Sequence, residues 1–389
     1  MRIVFIEPAA PGFHIFSFQR LPRLGLPLLG TLLAERGHEV RVYCEALSEV
    51  DWDQVLSADV VGISTVTPTA LRAYQYARRV QEEGIPTVMG GCHVSFLAEE
   101  ALGFCDYVVR GEGEETMLDL VDYLSGKGTS PSPEKIPGLS FWNASGRAVH
   151  NPPRDPVGSL AHLPQPDLSL VAGHEQMPVL PVVASRGCPH SCDFCSVVRM
   201  FGRRVRTAQP TEVVKQIKRV GPKKIFFCDD NFFLSKRRGR ELLEEMIRQR
   251  LDTPFFAQAR ADSFCKNGKV DRQLLRLMRS AGCKIAYLGL ESADPATLDG
   301  FHKQTELDDM VGAIEALGEA GIKVHGMFIF GADSDTPKSM FQTVDFAIKH
   351  GLSSAQFVAL TPLPGTPLMA QLDAEGRIFT RTWTLYDAF

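Results

Sequence analysis

Apolar residues fall along this chain in two rhythmic series. Over residues 1–126, short unbroken apolar runs alternate with stretches in which apolar residues recur every three or four positions. "RIVFIEP" reads as a strand, "GLPLLGTLLAERGH" as a helix ending near Gly37, and "EVRVYCEA" and "DVVGISTV" as further strands. The helix "TALRAYQYARRVQEEG", the strands "IPTVMGG" and "DYVVRGE", and the helix "EETMLDLVDYLSG" complete the series. Continuous apolar strands alternating with helices predict a parallel sheet covered on both faces. This is a doubly wound, Rossmann-like α/β unit, in which ligands bind outside the carboxyl ends of the strands.

The rhythm stops over residues 127–177. "GKGTSPSPEKIPG" and "HNPPRDPVGSLAHLPQPDLS" are rich in Pro, Gly and Ser and mark a linker. Between them "LSFWNASGRAVH" predicts a small hairpin turning at Ala144–Gly146. A second series occupies residues 178–368. Its strands are "LPVVAS", "KKIFFCDD", "FFAQARA", "KIAYLGLE", "KVHGMFIFG" and "AQFVALTP", with amphipathic helices between them. Six β/α units predict a partial (β/α)6 barrel, open on one side, with its chemistry at the strand C-terminal ends. Residues 369–389 read as the start of a C-terminal extension.

Length and composition narrow the class. A chain of 389 residues is long enough for two cores. A net charge of −4 supplies no basic field for nucleic acid. No apolar run reaches the roughly 18 residues that span a bilayer, and "MRIVFIEPAAPG" reads as a first strand and turn, not a signal peptide. The nine cysteines are odd in number and scattered, unlike a secreted disulfide framework, and point to a reducing cytoplasm.

Three of those cysteines change the picture. In "SRGCPHSCDFCS" they are spaced Cys-x3-Cys-x2-Cys, immediately after the first strand of the second series. A structural zinc site needs a fourth ligand, usually from a second Cys-x2-Cys pair, and the chain has none. A four-iron cluster also takes four ligands, and three thiolates leave one iron open to a substrate or cofactor. Cys188, Cys192 and Cys195, with Phe194 before the last, resemble the Cys-x3-Cys-x-(aromatic)-Cys loop of the radical S-adenosylmethionine (SAM) enzymes. The resemblance implies a 4Fe-4S cluster whose open iron is chelated by SAM, and a 5′-deoxyadenosyl radical that abstracts hydrogen. It also implies the partial barrel that the periodicity predicts independently.

The same resemblance assigns candidate SAM contacts strand by strand. Asp229, Asp230 and Asn231 in "CDDNF" stand where the family has a segment facing the SAM ammonium. Gln258 and Arg260 in "QARAD" share one face, and Arg260 is a candidate partner for the SAM carboxylate; a helix cap or solvated rim charge fits them equally. Glu291 in "LGLES" matches a family acidic residue that contacts SAM, Phe194 supplies an aromatic wall, and backbone at Leu360–Thr361 is the candidate adenine contact. No general acid or base is assigned. The first series resembles the cobalamin-binding domains fused in front of radical SAM barrels, through "RLGLPLLGTLLAERGHEVRVYCEA", "GISTVTPT", "MGGCHVSF" and "VVRGEGEET". That implies cobalamin contacts at Thr65, Val66 and Thr67, at Gly90, Gly91 and His93, and at Gly111, Glu112 and Gly113. The Asp-x-His-x-x-Gly motif, whose histidine ligates cobalt, is absent; His93 and His14 are the histidines nearest the ligand edge, and a loop hydrogen bond suits either better than ligation.

Within this group the chain resembles the branch of hopanoid methylases and bacteriochlorophyll-type cyclases and methylases. The implied reaction is methylation of an unactivated carbon of a small-molecule, lipid or pigment substrate, with one SAM making the radical and a second remethylating the corrin. Oxidative cyclisation or rearrangement without methyl transfer is the alternative. Methylthiolation of tRNA would need Cys44, Cys92 and Cys105 as cluster ligands, and these read as buried thiols. A non-catalytic corrinoid or iron–sulfur carrier has no need of the SAM positions. The implied partners are a small-molecule substrate and an external electron donor such as flavodoxin or ferredoxin. Arg203, Arg204 and Arg206 after the cysteine loop suit either an anionic substrate group or a solvated basic loop.

Overall fold

The computed structural model describes residues 1–10, 12, 20–126, 132–303 and 305–387. Two sheets organise them. The first contains β1 (Arg2–Glu7), β2 (Glu39–Cys44), β3 (Val60–Ser64), β4 (Thr87–Gly90), β5 (Tyr107–Val109), β6 (Leu139–Trp142) and β7 (Ala148–His150), in the order β2-β1-β3-β4-β5-β6-β7. Strands β1 to β5 are parallel. The order reverses between β1 and β3, which makes the crevice at their carboxyl ends the natural ligand position. In β1, Ile3 and Phe5 enter one buried cluster while Val4 and Ile6 enter the other. Burial on both faces is why this strand is an unbroken apolar run in sequence.

The hairpin expected in the linker is present, turning between Asn143 and Arg147. It does not stand between the sheets: β6 pairs antiparallel with β5 and β7 with β6, so it extends the first sheet.

The second series opens with β8 (Leu180–Val182) and a short antiparallel pair, β9 (Ser185–Arg186) with β10 (Arg206–Thr207). Then come β11 (Ile225–Phe227), β12 (Phe255–Ala259), the ribbon β13 (Cys265–Lys266) and β14 (Lys269–Val270), β15 (Cys283–Glu291), β16 (Lys323–Phe330) and β17 (Ser354–Ala359). Six strands form one parallel sheet in the order β8-β11-β12-β15-β16-β17. The intervening helices follow local rules. The helix Arg272–Ser280 buries Leu274, Leu275 and Met278, three positions on one face. Its N-cap Asp271 accepts the Leu274 amide at 3.1 Å.

The two sheets are not independently packed. One continuous buried cluster contains Leu26, Val88 and Leu139 from the first half and Leu180, Phe227 and Phe328 from the second. The C-terminal segment also returns to the first half. Trp383 is 2% exposed, its indole donates to Glu100 at 2.7 Å, and it meets the His93 ring edge-on. Trp383→Phe keeps the ring and removes the donor to a carboxylate. It is expected to lower unfolding free energy in urea by about 1.5 kcal/mol and to speed proteolysis of residues after Gly376; an unchanged urea midpoint would show that the ring alone anchors the segment. Among the described residues no helix is long and apolar enough to cross a membrane.

Candidate active site

The cysteine loop lies between β9 and β10. Gly187 has φ +88, and a Cβ there would lie 2.3 Å from the Arg204 carbonyl oxygen, so only glycine lets the loop leave β9 in this way. The loop is tied at several points. The Cys188 amide donates to the Gly202 carbonyl at 3.2 Å, and the Arg203 guanidinium to the Pro189 carbonyl at 3.0 Å. Asp193 pairs with His302 Nδ1 at 2.7 Å, and its carbonyl accepts the Leu368 amide at 3.1 Å. Phe194 packs edge-on against Phe301.

All nine cysteines are free thiols, and Cys188, Cys192 and Cys195 are partly buried. Burial pushes the Cys195 thiol up to about 12, and the neighbouring charges of Cys192, Asp230 and Cys188 push the same way. Burial, then Asp230 and Cys192, raise Cys188 too. Cys188 and Cys195, so raised, are held as thiolates by a nearby positive charge such as a bound metal. Among the described residues no three Cys, His, Asp or Glu side chains converge on a single ion. Thiols that adjoin one another without meeting at one point fit a multi-iron cluster, in which each thiolate serves its own iron.

The barrel strand ends divide into two groups. Asp230, Gln258, Phe194 and Leu360 line a large cavity. Burial raises the Asp230 carboxyl to about 6, against the lowering effect of Arg186. Asp229, Asn231, Arg260 and Glu291 lie behind the wall, occupied by protein partners. Asp229 is 1% exposed and accepts from the Ala184 amide at 3.1 Å and from the Ser185 hydroxyl; burial raises it to about 7. It braces the step from β8 to β9. Asn231 Oδ1 accepts the Phe233 amide at 3.0 Å, closing a turn. Arg260 is consumed by Asp262, the Lys303 carbonyl and the Thr305 hydroxyl. Glu291, at φ +65, pairs with Lys303 Nζ at 2.5 Å. A strand-end position is right for either role; side-chain direction and a partner distant in sequence decide which.

On the first sheet, Thr65, Val66, Thr67, Gly90, Gly91, Gly111, Glu112 and Gly113 all reach the same cavity. Gly91 is backed against the Thr65 carbonyl oxygen, 2.3 Å from where a Cβ would stand, so this edge is bare backbone. His93 does not reach the cavity. It is 1% exposed, with Nδ1 3.3 Å from the Thr67 hydroxyl and Nε2 3.2 Å from the Tyr74 hydroxyl. It acts as the loop hydrogen-bonder that the sequence favours. His14 lies outside the described residues.

Pairings, and one residue, that local sequence does not mark complete the site. Glu112 takes Arg206 at 2.6 Å and Arg186 at 3.3 Å, and Glu114 takes Arg186 at 2.6 Å. This clamp joins the first sheet to both strands flanking the cysteine loop. It also answers the choice left open for Arg206, which is 4% exposed and neither braces a substrate anion nor lies in a solvated loop. Arg23 is the other. It lines the cavity, and among the described residues its Nε and Nη2 are buried without a hydrogen-bond acceptor, while Nε lies 3.7 Å from Glu7 in an ion pair.

The cavity holds about 1420 Å³ and is walled by both sheets. Ordinary ligand pockets hold about 300–1,000 Å³. A glycine-backed edge, the Arg23 guanidinium and this volume on one side, with three thiols and Asp230 on the other, fit a large amide- and phosphate-bearing macrocycle facing a nucleoside.

Comparison with known proteins agrees. Residues 182–347 match the radical SAM superfamily and residues 17–121 the B12 binding domain. An uncharacterized methyltransferase of Pyrococcus horikoshii is 32% identical over 384 residues, covering 94% of this chain and 81% of that protein. The anaerobic magnesium-protoporphyrin IX monomethyl ester cyclase of Rubrivivax gelatinosus is 27% identical, covering 97% and 71%. The radical SAM methyltransferase TsrM from Kitasatospora setae, solved with cobalamin and a [4Fe-4S] cluster, superposes with a TM-score of 0.79 at 20% identity, covering 96% and 78%; at that identity the likeness is one of fold. With a B12 binding domain ahead of the barrel, and a cysteine loop suited to an iron–sulfur cluster at the barrel mouth, this chain belongs to the radical SAM enzymes that carry a cobalamin-binding domain and use a 4Fe-4S cluster, SAM and cobalamin.

Proposed function

We propose that this protein transfers a methyl group to an unactivated carbon of a small molecule. The observation that carries the reading is the single cavity onto which the barrel strand ends and the first sheet's carboxyl edge both open. A methyl donor and a carbon radical must lie side by side to react. When bound, the cluster and SAM supply a hydrogen-abstracting carbon radical and cobalamin supplies the methyl group. The chain's own residues hold, orient and shield. Cys188, Cys192 and Cys195 hold the cluster; Asp230 accepts from the SAM ammonium; backbone at Leu360–Thr361 meets adenine. Thr65–Thr67, Gly90–Gly91 and Gly111–Gly113 carry the corrin edge, and Arg23 offers its free donors to an anionic tail. The nine unpaired thiols support a reducing cytoplasm, where a flavodoxin- or ferredoxin-type protein would deliver electrons.

Anaerobic incubation with SAM, a reductant and methylcobalamin tests the reading by mass spectrometry. 5′-Deoxyadenosine and S-adenosylhomocysteine are both expected, and a product heavier than substrate by one CH2, a methyl in place of the abstracted hydrogen. Protein that takes up no corrinoid overturns it. The similarity to an anaerobic cyclase over 97% of this chain supports a second reading with the same cofactors, oxidative cyclisation; product mass separates the two.

Asp230 and Glu291 should respond differently to alanine. Asp230→Ala removes a carboxylate facing the cavity and is expected to weaken SAM binding through loss of about 1.5–3 kcal/mol, with the thermal midpoint held. Glu291→Ala strands the buried Lys303 ammonium and is expected to act first on stability. Calorimetric SAM titration and thermal scans of both variants check this. Equal SAM affinity in wild type and Asp230→Ala would remove Asp230 from the SAM site.

A further inference from the structure

One feature of the cavity is unused by the cofactor assignments. Three polar side chains cross the barrel face at one level. Gln258 on β12 is in register with Tyr287 on β15, and Tyr287 with His325 on β16. All three line the cavity. The row descends from the strand ends: Gln258 is next to the end of β12, Tyr287 is near the middle of β15, which runs to Glu291, and His325 is near the start of β16.

The members of the row are not equivalent. His325 is satisfied, with Nδ1 2.8 Å from the Ser354 hydroxyl and Nε2 3.2 Å from Gln356 Oε1. Burial lowers its pKa, which keeps the ring neutral. Its ring stands 4.8 Å from that of Tyr287, which Phe226 contacts edge-on from the other side at 5.6 Å. The Tyr287 ring is therefore held between two neighbours. Its hydroxyl, and the Gln258 amide, have no hydrogen-bond partner among the described residues, and neither is sealed from the cavity. No charged residue of β12, β15, β16 or β17 lines the cavity. Its charged groups lie on other elements: Asp230 after β11, Arg186 closed by Glu112 and Glu114, Glu7 on β1, Arg20 and Arg23 in the segment before Gly25, and Asp387 in the C-terminal segment.

An open hydroxyl and an open amide side by side can each donate and accept. An ionised group placed against them would lose water without gaining a counter-charge. We infer that Gln258 and Tyr287, with His325 as the positioning residue, read the substrate, and that this substrate is a neutral, largely apolar molecule presenting one uncharged donor–acceptor group such as an amide, lactam or hydroxyl. The inference rests on the methyl-transfer reading for the word substrate; the binding preference itself does not.

The test uses the intact chain loaded with cluster and corrinoid and saturated with SAM. It is titrated calorimetrically with indole-3-acetamide and, separately, with indole-3-acetate, two probes of one skeleton that differ in charge. The amide is expected to bind about tenfold or more tightly than the acetate. Tyr287→Phe should weaken amide binding roughly 3- to 10-fold, and the Tyr287→Phe, Gln258→Leu pair should abolish the preference for the amide. SAM affinity should stay within about twofold in Tyr287→Phe, because Tyr287 carries no SAM contact. Tyr287→Phe removes a single oxygen and is read alone if the pair does not fold. Equal or tighter binding of the acetate, no binding of either probe, or unchanged amide binding in Tyr287→Phe overturns the assignment. A large loss of SAM affinity also overturns it, by giving the row to SAM. Reductive release of 5′-deoxyadenosine by the wild type without probe is measured in parallel. Its absence defeats the radical reading while the probe preference still stands or falls on its own.

Discussion

Replacing Cys188, Cys192 and Cys195 together with alanine is expected to leave a folded protein with no stoichiometric iron or sulfide, no broad absorption in the visible, and no SAM cleavage. None of the three thiols belongs to the buried core. The loop is held instead by Gly187, by the tie from Arg203, by the Asp193–His302 pair and by the contact between Phe194 and Phe301. Those restraints survive the substitutions. The substitutions remove no core side chain and none of these ties, so the variant should unfold no earlier than cluster-free wild type. Iron and acid-labile sulfide after anaerobic reconstitution decide the matter. A triple variant that keeps about four irons per chain would move the cluster elsewhere in the protein.

The second large effect is expected at the clamp. Glu112→Ala deprives Arg206, 4% exposed, of its carboxylate, and leaves Arg186 with Glu114 alone. Breaking a buried ion pair from one side costs about 3–5 kcal/mol, because the remaining charge stays buried. Arg206 retains the carbonyls of Val157 and Phe201, which places the expected loss toward the lower end of that range. Removing both partners, Glu112→Ala with Arg206→Met, should recover part of it. Urea unfolding of the two single variants and the pair measures the coupling. Additive losses would mean that the clamp is only a crossing of independently satisfied side chains.

The clamp also shows where sequence reading stops. A strand such as "RIVFIE" is visible because burial on both faces leaves an unbroken apolar run from Ile3 to Ile6, and "KIAYLGLE" because buried positions alternate with partly exposed ones. The cysteine loop is visible because three ligands must come from a few adjacent residues. The clamp joins positions 112 and 206, and 114 and 186, and nothing in the neighbourhood of either member announces the other. The same gap explains Arg260 and Glu291. Position at a strand end is written in the sequence, but the Lys303 and Thr305 segment that captures both side chains arrives from elsewhere. Asp229 and Asp230 are adjacent and chemically identical. Alternation along the chain sends one into the protein and the other into the cavity. Trp383 reads only as part of a C-terminal extension, because its pocket on Glu100 and His93 is built by the other end of the chain.

The buried cluster that runs from Leu26 and Leu139 through to Phe227 and Phe328 has a consequence for how such a protein changes over time. Two halves that share one interior are not interchangeable cassettes. Grafting the corrin-carrying half onto a foreign barrel would set mismatched apolar surfaces against each other and leave either voids or collisions. A lineage that acquires a new substrate must therefore do so with both halves inherited together, by exchanging side chains on the barrel face and in the connecting loops. Diversity among relatives should accordingly collect around positions such as Gln258 and Tyr287, and be scarce along the seam.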